Sequence, residues 1–284
     1  MGSKSIVVIF NILFLLYASV SYSQSIKFKG EGITCSNIFL SDGNEKIDHT
    51  SYVYGSKFYI NFENLEGFQS IDKKYYPGMG LYVIGEKGDT VLSNEDMYAS
   101  LTEGTDIDPL TLNCNVTVAT PIHSNENYVV YVHIFDKKGN GTFDASLDFK
   151  VIPNEHIRVD SYKLDYHQIY LFSQERGTVI TENQGGFNEH IYLLVEGLEG
   201  VKEKNGQGEI GLSIKAVDAE GNVIANEPDL FEGQSFNMVD IRKQIAPNLI
   251  INKGLLVNPV YFEVIIWDKN SKARITAWVE LEIL

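Results

Sequence analysis

An internal repeat constrains this chain more than any other feature. At a shift of 131 to 133 residues, Tyr59, Glu63, Leu65, Glu66 and Gly67 recur as Tyr192, Glu196, Leu198, Glu199 and Gly200. Gly80 and Leu81 recur as Gly211 and Leu212, and Gly88, Asp96, Met97 and Tyr98 answer to Gly221, Asp229, Leu230 and Phe231. The last matched tract pairs Val132, Ile134, Phe135, Asp136 and Lys137 with Val264, Ile266, Trp267, Asp268 and Lys269. Order and spacing hold throughout. One structural unit of about 130 residues is therefore expected twice, each large enough for its own hydrophobic core. The divide is expected at Pro153, Asn154 and Glu155, where proline and polar residues interrupt the apolar alternation, which gives domains at 24–152 and 153–284.

Within each copy apolar and polar residues alternate at period two, and helical periodicity is nearly absent. Strands are expected near 33–41, 56–63, 79–85, 89–93, 111–119, 128–136 and 142–151, and again near 164–172, 188–196, 209–218, 222–226, 249–256, 259–268 and 273–283. Gly88 and Gly221 mark matching tight turns. Asp108 with Pro109 has the form of a helix cap and first-turn proline, and Met238 to Ile245 has helical apolar spacing, so each copy is expected to carry one short helical crossover. Seven short strands and a crossover give an all-β chain of two tandem, internally duplicated Ig-like β-sandwich domains. With its Gly-Leu, DMY/DLF and FDK/WDK segments, the chain resembles exported Ig-like repeat proteins of Gram-negative bacteria. That resemblance implies a fold and a location, and no activity.

The location has its own signature. Lys4 precedes an apolar stretch from Ile6 to Leu16, and Ala18, Ser19, Ser21 and Ser23 follow, the pattern of a secretory signal peptide over 1–23 with cleavage before Gln24. No cysteine stands where a lipoprotein would carry its lipid. The expected product is exported to the periplasm or cell surface, without an integral membrane segment after cleavage. A formal charge of −15 from 23 basic and 38 acidic residues removes the attraction for phosphate backbones on which nucleic-acid binding rests.

Catalytic motifs are scarce. Gly206, Gly208 and Gly211 spell the GxGxxG of dinucleotide sites, but that chemistry needs a helix after the glycines, and Leu212 to Asp218 reads as a strand. Asp136, Asn140 and Asp144 offer oxygen ligands on a tight turn, which would suit calcium as a cofactor. Lys137 and Lys138 occupy the middle of that loop, and a plain hairpin with no cofactor explains the segment as well. The histidines, His49, His123, His133, His156, His167 and His190, lack metal-ligand spacing, and neither HExxH nor GxSxG occurs.

Cys35 and Cys114 are the two cysteines of a chain expected in an oxidising compartment. A bridge between them would close a loop of about 80 residues and add about 4 kcal/mol by the chain-entropy argument. Two unpaired thiols are the alternative, since the second copy has Tyr166 and about Ala246 at the matching positions. The first copy also gathers Tyr52, Tyr54, Tyr75, Tyr76 and Tyr82 around its second and third strands. Exposed, such rings could stack on sugars or anchor a protein; buried, they are core. The expected function is a non-enzymatic binding or structural module of the cell envelope with a protein or glycan partner. A carbohydrate-binding accessory protein is the alternative, and a hydrolase with a site between the domains a third reading.

Overall fold

Alternation dictates the strands. The computed structural model describes residues 26–284, so the expected leader at 1–23 lies outside the described residues. In the first half the strands of three residues or more are β1 (Lys27–Glu31), β2 (Thr34–Ser41), β3 (Ser51–Val53), β4 (Lys57–Glu66), β5 (Pro77–Gly85), β6 (Thr90–Asn94), β7 (Leu110–Thr117), β8 (Asn127–Asp136) and β9 (Thr142–Ile152). The second half holds β10 (Ile157–Tyr162), β11 (Gln168–Ser173), β12 (Thr178–Ile180), β13 (His190–Glu196), β14 (Ile210–Val217), β15 (Val223–Glu227), β16 (Asn248–Ile250), β17 (Val260–Asp268) and β18 (Arg274–Ile283). Among the described residues there is one helix, α1 (Met238–Lys243), before β16; the Asn237 side chain caps it by accepting from the Val239 amide at 2.8 Å.

The chain is all-β, arranged in several sheets. One runs β1-β9-β8-β5-β6, with β3 parallel against β9; across the core stands β2-β4-β7. The second half gives β10-β18-β17-β14-β15, with Gln184–Gly185 parallel against β18, and opposite it β12-β11-β13-β16. Buried residues fall into two clusters. One is centred on Phe58, Phe62 and Met79, the other on Phe262, Leu171 and Ile210. Along β8, Val130, Val132 and Ile134 are buried while Tyr131 is exposed, the alternation that the sequence predicts. Gly211, the last glycine of the GxGxxG match, already lies inside strand Ile210–Val217, which opens two residues after Gly208, so no helix N-terminus faces that loop.

Residues common to both halves build turns. Asp136 is buried at the end of β8, where its carboxylate accepts from the amides of Gln69 (2.6 Å) and Lys138 (2.9 Å). Asp268, fully buried at the end of β17, accepts in the same way from Lys202 (3.3 Å) and Asn270 (3.0 Å). The matching is closer still at Asp96 and Asp229. Asp96 accepts from the amides of Met79 and Tyr98 and pairs with Lys137 at 2.8 Å, while Asp229 accepts from Leu212 and Phe231 and pairs with Lys269 at 2.8 Å.

Two expectations need correction. The segment after Asp108 enters β7 directly, so the first half lacks the helical crossover that α1 provides in the second. Gly80 is not the partner of Gly211. Phe135 lies over Gly78 as Trp267 lies over Gly211, and Met79 serves Asp96 as Leu212 serves Asp229. A two-residue slip preserves the face of every side chain, so the alternation could not reveal it.

Candidate functional site

The two halves meet along a cleft of about 890 Å³. On the first side the turn after β3 brings up Tyr54 and Gly55. Gly55 has φ +100°, and a Cβ there would collide with Val179 of β12, so only glycine allows this approach. Tyr54 is buried: its hydroxyl lies 3.0 Å from Thr120 Oγ1 and its ring 4.9 Å from that of Tyr170. On the second side, β11 alternates Ile169 and Leu171 into the core with Tyr170 and Phe172 outward, into the cleft. Lys57, Glu196 and Lys243 add charge to the lining. Tyr170 donates to Glu196 at 2.8 Å, and burial, then that bond, pushes its hydroxyl far above the ordinary tyrosine range; it serves as a neutral donor. A shallower groove continues over Phe172, Gln174 and Tyr192.

Beside the cleft, buried Ser124 and Gln168 exchange two hydrogen bonds of 2.9 Å across the junction. Next to them His123 and His167 stack, centroids 4.2 Å apart, and His123 Nδ1 is buried without a partner. Burial and then His167 hold the His123 imidazole below its ordinary pKa, against the opposing pull of Glu126 and Glu196; the Tyr128 hydroxyl accepts from its backbone amide. A depressed histidine is neutral in the folded chain, so stability is full above the unfolded value of about 6.5 and falls as pH drops from there toward the native value. Melting curves between pH 7.5 and 5 are expected to show this decline, and His123→Phe, which keeps a ring on His167, to flatten it.

The residues singled out from the sequence do not assemble into one site. Tyr52 is core: it stacks on Phe58 at 4.1 Å and donates to the His49 carbonyl. Tyr75 pairs its backbone with Thr105, and half-buried Tyr76 lies under Lys138, 5.1 Å from its ring centroid. The four tyrosines Tyr52, Tyr54, Tyr75 and Tyr76 therefore form no exposed platform. Asp136 and Asp144 point to opposite faces of their sheet; Asp136 holds the turn, while Asp144 Oδ1 lies 2.6 Å from His133 Nδ1. With Asn140 they do not converge on a cation, and among the described residues no three His, Cys, Asp or Glu side chains form a metal-binding group.

Cys35 and Cys114 are unbridged. They stand on β2 and β7, which flank β4 on either side, opposite Leu65 and Ile60 respectively. Two strand spacings of about 4.8 Å and an offset of five residues at about 3.4 Å each put them far beyond the roughly 7 Å that a disulfide tolerates. Burial pushes the Cys114 thiol up to about 12, so it is inert.

Sequence reasoning missed Tyr170, Phe172, Glu196, Lys57 and Lys243. A signal for the first two was available: rings standing in the outward phase of an alternating strand mark a surface that something covers.

No protein-family model matches the chain, and no curated protein matches it. Among solved structures, BspA_C_WT is 10% identical over 84% of this chain and 98% of its own length, with a TM-score of 0.26. The structure named pT26-6p is 11% identical over 92% of this chain and 66% of its own, with a TM-score of 0.29. A Bacteroides uniformis β-glucuronidase is 8% identical over 89% of this chain, which spans 32% of the enzyme's length, with a TM-score of 0.26. Likenesses this distant carry no inference about activity. Among the described residues no helix is long and apolar enough to cross a membrane.

Proposed function

We propose that this chain is an exported, non-enzymatic binding module of the cell envelope, made of two tandem, internally duplicated Ig-like units, that takes a glycan or protein partner in the cleft between them. The observation that carries the reading is the lining of that cleft. Tyr170 and Phe172 face outward from β11 into a cavity of about 890 Å³, beside Lys57, Lys243 and Glu196. Rings on rigid strands with a few charges around them are the composition of a recognition site. Duplication is supported by the equal strand orders of the two large sheets and by the matched carboxylate clamps at Asp96 and Asp229. Export is supported by Lys4 and the apolar run to Leu16.

Hydrolysis is the weaker reading. A glycosidase site uses two carboxyl groups, and the cleft is lined by one, Glu196, which already accepts from Tyr170. No cofactor enters the proposal. The test is affinity capture from solubilised envelope with the wild-type chain and with Phe172→Asp. The variant is expected to hold its partner about tenfold more weakly or worse. Equal retention by both chains would remove the cleft from the function.

A further inference from the structure

A second surface, away from the cleft, has a different character. On the outer face of the sheet β1-β9-β8-β5-β6, side chains turn away from the core at Tyr82 of β5 and at Tyr131, His133 and Phe135 of β8. Opposite Phe135 and His133, β5 presents Gly78 and Gly80. The Phe135 ring lies over Gly78, in the space a Cβ would need, and Tyr82 folds back over Gly80, its ring 3.2 Å from where a Cβ would be. His133 and Phe135 are nearly parallel, with an interplanar angle of 24°. Tyr131 stands directly across from Tyr82 and is 46% exposed. The two glycines let the Phe135 and Tyr82 rings lie down on the sheet beside His133 and the exposed Tyr131, and the result is an aromatic strip.

Comparison with the other half separates scaffold from addition. Trp267 covers Gly211 as Phe135 covers Gly78, but the register places of Tyr82, Tyr131 and His133 are taken by Lys215, Glu263 and Ile265. The ring over glycine is thus common to both halves, and the tyrosines are not. Among the described residues neither Tyr82 nor Tyr131 hydrogen-bonds through its hydroxyl within the chain. Along the margin of the strip, exposed Asp144 stands across from His133 and Ser146 across from Tyr131. Size decides the occupant. Three alternate residues span about 13 Å along β8 and the two strands lie about 5 Å apart, a strip on the order of 100 Å², against the roughly 800 Å² per partner of a stable protein interface.

We infer that this face is a glycan-stacking site: Tyr82, Tyr131 and Phe135 take the C–H faces of a short run of sugar rings, and Asp144 accepts hydrogen bonds from their hydroxyls. Flat rings match the flat, apolar faces of pyranoses, and a carboxylate at the margin is an acceptor-only group suited to a polyol. The inference is independent of the cleft and survives if the cleft binds nothing.

Co-sedimentation of the mature chain with insoluble cellulose, chitin and purified peptidoglycan tests it. Wild type is expected to pellet with at least one of the three. Tyr82→Ala with Tyr131→Ala is expected to weaken that binding about tenfold or more, and Tyr82→Phe with Tyr131→Phe, which keeps the rings, to preserve most of it. Tyr131→Ala alone, at an exposed position, reports on stacking if the double variant fails to fold. Val223→Ser, at an exposed position on β15 away from both the strip and the cleft, is expected to pellet as wild type does. The inference is overturned if wild type pellets with none of the three or if the alanine variants bind like wild type.

Discussion

Phe58→Ala is expected to destabilise the first half by about 3–5 kcal/mol. Phe58 is fully buried, stacked on Tyr52 at 4.1 Å and set edge-on to Phe149 at 5.3 Å, and Phe149 in turn stacks on Tyr128 at 5.5 Å. Truncation removes the central ring of this cluster. Its neighbours come from β3, β8 and β9, each fixed in register by its own sheet, so the gap can collapse only in part. For a unit of this size the loss corresponds to a fall in Tm of about 10–20 °C. Because the buried residues form two clusters, the transition of the first half is expected to separate from that of the second in a calorimetric scan. Phe262→Ala, in the other cluster, is expected to reverse the order of the two transitions. A single transition that moves as a whole in both variants would show that the clusters unfold as one.

The sequence made the cores legible because burial writes itself into period two. Strands β4, β8, β9 and β17 bury alternate residues, β5, β13, β14 and β18 do so outside short runs buried on both faces, and the expected bounds of all eight lie within a few residues of those observed. Strands β1 and β10 escaped for the converse reason. Every residue of Lys27–Glu31 is exposed, and Ile157–Tyr162 buries only its first, so an edge strand held by backbone bonds leaves little hydrophobic trace. Tyr52 and Tyr54 misled in a different way. The short strand that holds Tyr52 and leads into Tyr54 lies parallel to β9 across nearly 100 residues of chain, a pairing that no local pattern encodes, and it turns a surface cluster into core. The cleft shares this property: Tyr170 and Phe172 are visible as outward rings, but Gly55 and Val179 meet only once both halves are folded. The aromatic strip was half legible. The outward phase of Tyr131, His133 and Phe135 follows from alternation, whereas the glycines that lay the rings flat are matched to them by register.

Asp229→Ala and Asp96→Ala are expected to cost about 2–4 kcal/mol each, more than any exposed ion pair contributes. Each carboxylate closes three contacts at once. Asp229 Oδ1 accepts from the amides of Leu212 (3.2 Å) and Phe231 (3.0 Å), and Oδ2 pairs with Lys269, which also donates to the Phe231 carbonyl at 2.6 Å. Alanine would strand two backbone donors and a lysine in a largely enclosed site. Lys269→Met is expected to cost less, because the amides keep their acceptor and the aliphatic stem is replaced in kind. Acid should act in the same direction as the alanine variants. Burial pushes both carboxyls up, but for Asp96 the bonds from Lys137, Met79 and Tyr98, and for Asp229 those from Lys269, Leu212 and Phe231, outweigh it and hold each below the ordinary carboxylate range. A carboxyl depressed in the folded state contributes its stability above the unfolded pKa of about 3.9, and loses it as pH falls through the native value. Denaturant titrations are therefore expected to show a steep loss below about pH 4 in the wild type and a shallower one in either aspartate variant. Equal slopes in all three would mean that the clamps hold geometry without storing this charge-dependent stability. The parallel construction at Asp96 and Asp229 makes the comparison internal, since each substitution should move the transition of its own half and leave the other in place.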